Sequence, residues 1–145
     1  MCIRDREYGE ITLDISNSTY DYQNMQNYYA TISSQILLYD SGVSVNMDYG
    51  TDASGAYVVW GPNSAINALV NHFQFSDEIL AVYKSNYSDI QWDELLKFEL
   101  NQSRPIIMRA YDEFNGSGHA WNIDGYQGEN YFCLLYTSDA ADEHR

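Results

Sequence analysis

The chain has 145 residues and a hydrophobic share of 45%, which suits one domain with a real core and excludes a disordered composition. Its formal net charge is −14, with only seven Lys and Arg scattered along it. Phosphate backbones and anionic membrane surfaces are held by clustered cations, so neither nucleic acid nor a membrane is expected as a partner.

Taken in chain order, Met1-Cys2-Ile3-Arg4-Asp5-Arg6 comes first. It carries no apolar run of the secretory-signal kind, and it resembles a translated sequencing adapter. Cys133-Leu134-Leu135-Tyr136-Thr137-Ser138-Asp139-Ala140-Ala141-Asp142-Glu143 resembles the reverse complement of the same adapter. Residues 1–6 and 133–145 are therefore set aside, leaving 7–132 as the expected domain. That stretch keeps four basic residues against seventeen acids, so its acidity is its own. It has no cysteine, and Cys2 and Cys133 are assigned to the set-aside ends rather than to a disulfide or a catalytic thiol.

Within the domain, Ile11-Thr12-Leu13-Asp14-Ile15 alternates as a short strand does, and Ser16-Asn17-Ser18 follows as a turn. Met25, Tyr28, Tyr29, Ile32, Ile36 and Tyr39 recur at helical spacing and predict a helix over 24–39, stopped by Ser41-Gly42. Val43-Ser44-Val45-Asn46-Met47 alternates as a strand, and residues 48–56 form a loop. Gly61-Pro62 opens a second helix with Ile66, Leu69, Val70 and Phe73 as its buried stripe. Ser88-Asp89-Ile90-Gln91 fits a capping box ahead of Trp92, Leu95, Leu96 and Leu100, and Pro105 lies beyond that helix. The last third turns to strands: 105–111, a polar loop 112–117, 118–123, a turn at Asp124-Gly125, a second turn over 127–130, and a strand beginning at Tyr131. Helices followed by antiparallel strands give an α+β order.

Several residues suggest chemistry. His119 follows Gly116-Ser117-Gly118 at a strand start, where missing side chains let a substrate approach an imidazole that titrates near neutrality. Taken alone, it is read more simply as a surface histidine in a glycine-rich turn. His72 lies off the apolar stripe of its helix, as a surface residue does. His144 belongs to the adapter-like end. Two histidines and no cysteine in 7–132 are too few for a usual zinc site, so no metal is expected. Asp48, Asp52, Asp112 and Glu113 offer carboxylates for glycoside cleavage, but solvated loop charges explain them more simply. Met47-Asp48-Tyr49-Gly50 lacks EF-hand spacing. Asp124 falls on the opposite strand face from His119 by parity, which argues against a triad. Trp60 and Trp121 fit a core or a sugar cleft, and Trp92 fits the core.

Six stretches together resemble the streptopain (C10) family of papain-like cysteine proteases. They are Tyr20-Asp21-Tyr22-Gln23-Asn24-Met25; the run from Leu37 through Asp40-Ser41-Gly42 to Met47-Asp48-Tyr49-Gly50; Ser54-Gly55-Ala56; Trp92 with Glu99-Leu100; Arg104-Pro105-Ile106; and Gly118-His119-Ala120-Trp121-Asn122-Ile123-Asp124-Gly125-Tyr126. The resemblance implies a partial papain-like α+β fold and a secreted enzyme without cofactor or metal. It implies protein or peptide substrates, with a propeptide or inhibitor as a further partner of the full-length protein. It makes His119 the base of a Cys–His dyad and gives Ser54 and Gly118 substrate contacts, Ser54 touching the residue before the cleaved one. The family's nucleophilic cysteine and oxyanion-hole glutamine are expected upstream of these residues, and its Asn-Trp-Gly-Trp run just past Phe132. Asp112 to Ser117 departs from the family's form, which leaves substrate preference open. An acidic, tyrosine-rich extracellular binding module with a structural His119 is the alternative.

Overall fold

A computed structural model describes residues 2–5, 9–26, 28–50, 54–114, 116–128 and 131–135. Asp52 and all residues from 136 on, His144 among them, lie outside the described residues, as do Glu129 and Asn130 of the expected 127–130 turn. The chain is mixed helix and antiparallel sheet, and it divides into two compact units, Met1–Ala81 and Val82–Arg145.

The first unit opens with a hairpin, β1 (Cys2–Asp5) paired antiparallel with β2 (Gly9–Thr12). Short 3-10 turns at Ile15–Asn17 and Tyr22–Asn24 follow, then α1 (Ile32–Ser44) and α2 (Ala65–Asn71). Helix α1 starts eight residues later than its apolar spacing suggests. Its start is set by a capping box: the Thr31 backbone N–H donates to Ser34 Oγ (2.8 Å), and the Ser34 N–H donates to Thr31 Oγ1 (3.3 Å). Ser41-Gly42 does not stop the helix. The stop is Asn46, left-handed at φ 52, where the Asn46 N–H reaches the Val43 carbonyl (3.1 Å) and the Met47 N–H the Gly42 carbonyl (3.0 Å). This is a Schellman closure, and it rules out the strand expected over 43–47. Helix α2 likewise begins at its Ser64 cap rather than at Pro62, because the Ser64 hydroxyl accepts from the Asn67 N–H (3.4 Å). Its fully buried apolar residue is Ala68, while Ile66, Leu69, Val70 and Phe73 are half-buried.

The buried end of α1 carries a carboxylate. Asp40 is 2% exposed and accepts a hydrogen bond from the Tyr20 hydroxyl at 2.9 Å. The Tyr20 ring packs against Phe73 and Tyr22, with centroids 5.9 and 6.1 Å away. Burial, reinforced by the hydrogen bond to Asp40 and its charge, pushes the Tyr20 phenol from its ordinary 10.0 up to about 12.

In the second unit α3 (Asp89–Asn101) lies against a three-stranded sheet of order β3 (Ile106–Asp112), β4 (Ser117–Gln127), β5 (Tyr131–Leu135). The Ser88 capping box forms as its sequence requires: the Gln91 N–H donates to Ser88 Oγ (3.3 Å), and the Ser88 N–H donates to Gln91 Oε1 (3.0 Å). Ser103, left-handed at φ 58, closes the helix with a second Schellman pair. The core centres on Leu96 and Ile123, 5% and 2% exposed. Asp124-Gly125 is not a turn. Strand β4 runs through it with a bulge between Ile123 and Gly125, which absorbs the irregular residue without ending the ladder.

Replacing Tyr20 with Phe keeps the ring but removes the donor to a buried carboxylate, so it should lower stability by about 1–3 kcal/mol. The alkaline behaviour has a definite sign. A phenol raised from 10.0 to about 12 contributes its full stability below pH 10 and loses it as pH rises through 12. Chemical unfolding of the parent and Tyr20→Phe at pH 8 and pH 11.5 should therefore show the gap between them closing at the higher pH.

Candidate active site

The β3–β4 hairpin presents the candidate base. Its register runs from Ile106 opposite Ile123 to Asp112 opposite Ser117, leaving residues 113–116 as the loop. Asp112 ties that loop: its Oδ1 accepts from the Phe114 N–H (2.9 Å), and its carbonyl accepts from the Gly116 N–H (2.9 Å). Gly116 stands at φ 66, the left-handed geometry that glycine takes without strain. The carboxylate of Asp112 thus serves the hairpin, as an Asx turn does.

His119 lies two residues into β4, exposed, opposite Ala110. Period-two alternation puts it on one face with Trp121 and Ile123, and cross-strand pairing adds Ala110, Met108 and Ile106 to that face. The face is buried at Ile123 and opens to solvent at His119, with the small Ala110 as its cross-strand neighbour. The imidazole therefore stands at the solvent edge of an otherwise apolar, supported strand face.

Gly118 is on the other face, across from Tyr111. A Cβ at Gly118 would stand 3.3 Å from Tyr111 Cδ2, so the glycine makes room for that ring. The sequence shows Gly118 as an opening. The structure shows that Tyr111, which is 60% exposed, borders the opening.

Cys133 is a free, exposed thiol opposite Gly125, six residues along β4 from His119. At about 3.3 Å per residue the two are roughly 20 Å apart along the strand. A hydrogen bond with Asp124, together with that carboxylate's charge, raises the Cys133 thiol pKa above its ordinary value, the reverse of what a nucleophile needs. Asp124 sits at the bulge beside Cys133 and also lines a small hollow with Leu100, Ser103, Arg104 and Pro105. Arg104 itself is paired with Glu99 at 2.6 Å.

The other candidates are spread over both units. Ser54 is in the first unit, where its hydroxyl accepts from the Gly50 N–H at 3.4 Å. The backbone of Asp48 bridges to Gly55. His72 caps the end of α2 and borders a hollow walled by Ile15, Tyr20, Tyr22 and Phe73. Trp60 is exposed, and Trp92 packs on Tyr87 with ring centroids 5.8 Å apart. Among the described residues no three of His, Cys, Asp and Glu come together to hold a metal ion, and no helix is long and apolar enough to cross a membrane.

One feature of the site is invisible in the sequence. The Trp121 indole nitrogen is buried and has no hydrogen-bond partner among the described residues. Strand parity alone places Trp121 beside His119, but only packing shows that its N–H is shut away from water.

The sequence model of the peptidase C10 family matches residues 3–136. Streptopain of Streptococcus pyogenes serotype M28 (strain MGAS6180) is 28% identical over 125 residues, covering 81% of this chain and 30% of that protein. Streptopain of Streptococcus pyogenes serotype M1 is 27% identical over the same length, with the same shares covered. The chain thus spans less than a third of the length of the curated relatives it matches.

A buried N–H without an acceptor is a standing cost, so Trp121→Phe, which keeps most of the ring's packing, should leave the chain's stability unchanged or raise it by about 1 kcal/mol. Equilibrium urea unfolding of the two proteins checks this, and a loss above about 2 kcal/mol would overturn the expectation.

Proposed function

This chain belongs to the peptidase C10 family, and we propose that it is the base-bearing part of a secreted, papain-like cysteine endopeptidase, with His119 as the catalytic base. The observation that carries the assignment is the position of His119. It occupies the Gly-His-Ala element that the family resemblance singles out, at the solvent edge of an ordered strand face. Residues 7–132 would form the partial peptidase domain between adapter-like ends, and the nucleophilic thiol would come from family sequence outside them.

The chemistry follows from the imidazole. It takes the proton of a cysteine thiol, and the thiolate attacks the scissile carbonyl carbon to form a tetrahedral oxyanion. The oxyanion collapses to a thioester as the imidazolium hands its proton to the leaving amine. The neutral imidazole then takes a proton from water, whose oxygen attacks the thioester and releases the carboxylic acid and the thiol. Neither metal nor cofactor enters any step. The substrates are proteins or peptides. Ser54 is proposed to contact the residue before the cleaved bond, and Gly118 to border the base. In the full-length protein a propeptide or inhibitor would be a further partner.

Cys133 does not replace the missing nucleophile, because its register is too distant and Asp124 raises its pKa. The chain alone is therefore expected to leave fluorescein-labelled casein uncut. A longer product of the same gene, extended upstream to include a cysteine, should cut it and lose at least about 10³-fold in rate on His119→Ala. Casein cleavage by the 145-residue chain itself, abolished by His119→Ala, would overturn the assignment of the nucleophile to sequence outside it.

A further inference from the structure

Gly42 is buried inside α1, and the helix continues past it. A Cβ at Gly42 would overlap the hydroxyl oxygen of Tyr49 and lie 3.2 Å from its Cζ. The glycine therefore forms a socket in the helix surface into which the tip of the Tyr49 side chain is set.

Tyr49 stands between two residues that tie down Ser54 and Gly55. On one side, Asp48 exchanges backbone hydrogen bonds with Gly55, its N–H donating to the Gly55 carbonyl at 2.8 Å and its carbonyl accepting from the Gly55 N–H at 3.0 Å. On the other, the Gly50 N–H donates to Ser54 Oγ at 3.4 Å. The Met47 N–H, one residue before Asp48, is bonded to the carbonyl of Gly42 itself at 3.0 Å. The same helix position thus holds the chain entering the neck, where Asp48 and Gly55 are bonded together, and the aromatic ring beside it. Displacing Tyr49 must drag both connections to Ser54 and Gly55.

We propose that the Gly42–Tyr49 contact fixes the position of Ser54, making Tyr49 a positioning residue for selection of the substrate residue beside the cleaved bond. This rests on the assignment of Ser54 as a substrate contact. Adding a methyl group at Gly42 has two opposed effects. Alanine favours the helix interior over glycine, while the methyl evicts the phenol tip. Helix stability and neck geometry should therefore part company, which a merely structural glycine would not produce.

The test uses the 145-residue chain and amide hydrogen exchange followed by NMR. Gly42→Ala should speed exchange at the Asp48 and Gly55 amides roughly tenfold or more while the amides of α1 keep their protection. Tyr49→Ala, which leaves the helix glycine in place, should do the same. Tyr49→Phe combined with Gly42→Ala should restore the slow rates, because the methyl takes the space the hydroxyl vacates. Unchanged neck amides in both single variants, or a double variant no slower than Gly42→Ala, would refute the socket. A second arm adds capped tripeptides that differ only in a central Ala, Leu, Phe or Lys. The Ser54 amide should shift with at least one of them, and the order of preference should change in Tyr49→Ala. If Ser54 moves with none of the peptides, the substrate assignment of Ser54 falls and the proposal with it, whatever the exchange arm shows.

Discussion

The antiparallel pairing of β3 with β4 is the constraint on which the candidate site depends. With Asp112 opposite Ser117 and a loop of residues 113–116, every later residue of β4 has its face assigned. His119 joins Trp121 and Ile123, and Gly118 joins Ala120 on the other side. A slip of one residue would turn His119 to the face of Tyr111 and expose Ile123. What resists the slip is burial. Ile123 is one of the least exposed apolar residues described, and the face it shares packs toward α3. The position of the imidazole is thus held by an apolar residue four places away.

The first unit relies on a different device, close packing at the buried end of α1. There Asp40, Gly42, Val43 and Ser44 are buried, while Ile32, Ile36, Leu38 and Tyr39 are exposed. The helix is anchored at its C-terminal end rather than along an apolar stripe. Asp40 is satisfied by Tyr20, and Gly42 admits Tyr49. Both contacts join residues far apart in chemistry: an acid and a phenol, a glycine and a phenol. Neither follows from hydrophobic patterning.

Where local chemistry is decisive, the sequence is a good guide. Ser88 and Gln91 satisfy each other's backbone N–H groups, so the start of α3 is legible from four residues. The strand beginning at Tyr131 and the one after Pro105 are also where patterning puts them. Apolar spacing misleads over 24–39, because tyrosines and isoleucines there recur at helical intervals without being helical before Ile32 or buried after it. Gly42 misleads for a related reason. Glycine marks a helix end when its conformational freedom is needed, but here the lack of a side chain is what matters, and Asn46 takes the left-handed position. Asp124-Gly125 has the composition of a turn, yet ladder hydrogen bonds on both sides carry the strand through it as a bulge.

By itself the sequence determined the family, the α+β mixture and the acidic balance, and it singled out His119 as the candidate base, because each of these is carried by residue identity and order along the chain. Only the tertiary structure decided that Tyr111 borders Gly118, that Cys133 lies far down the strand from His119 beside a carboxylate, that the Trp121 N–H is buried, and that Tyr49 rests on Gly42. These depend on strand register and on which side chains meet across the fold. Neither is encoded in local spacing, since both are settled by which set of surfaces can be buried together.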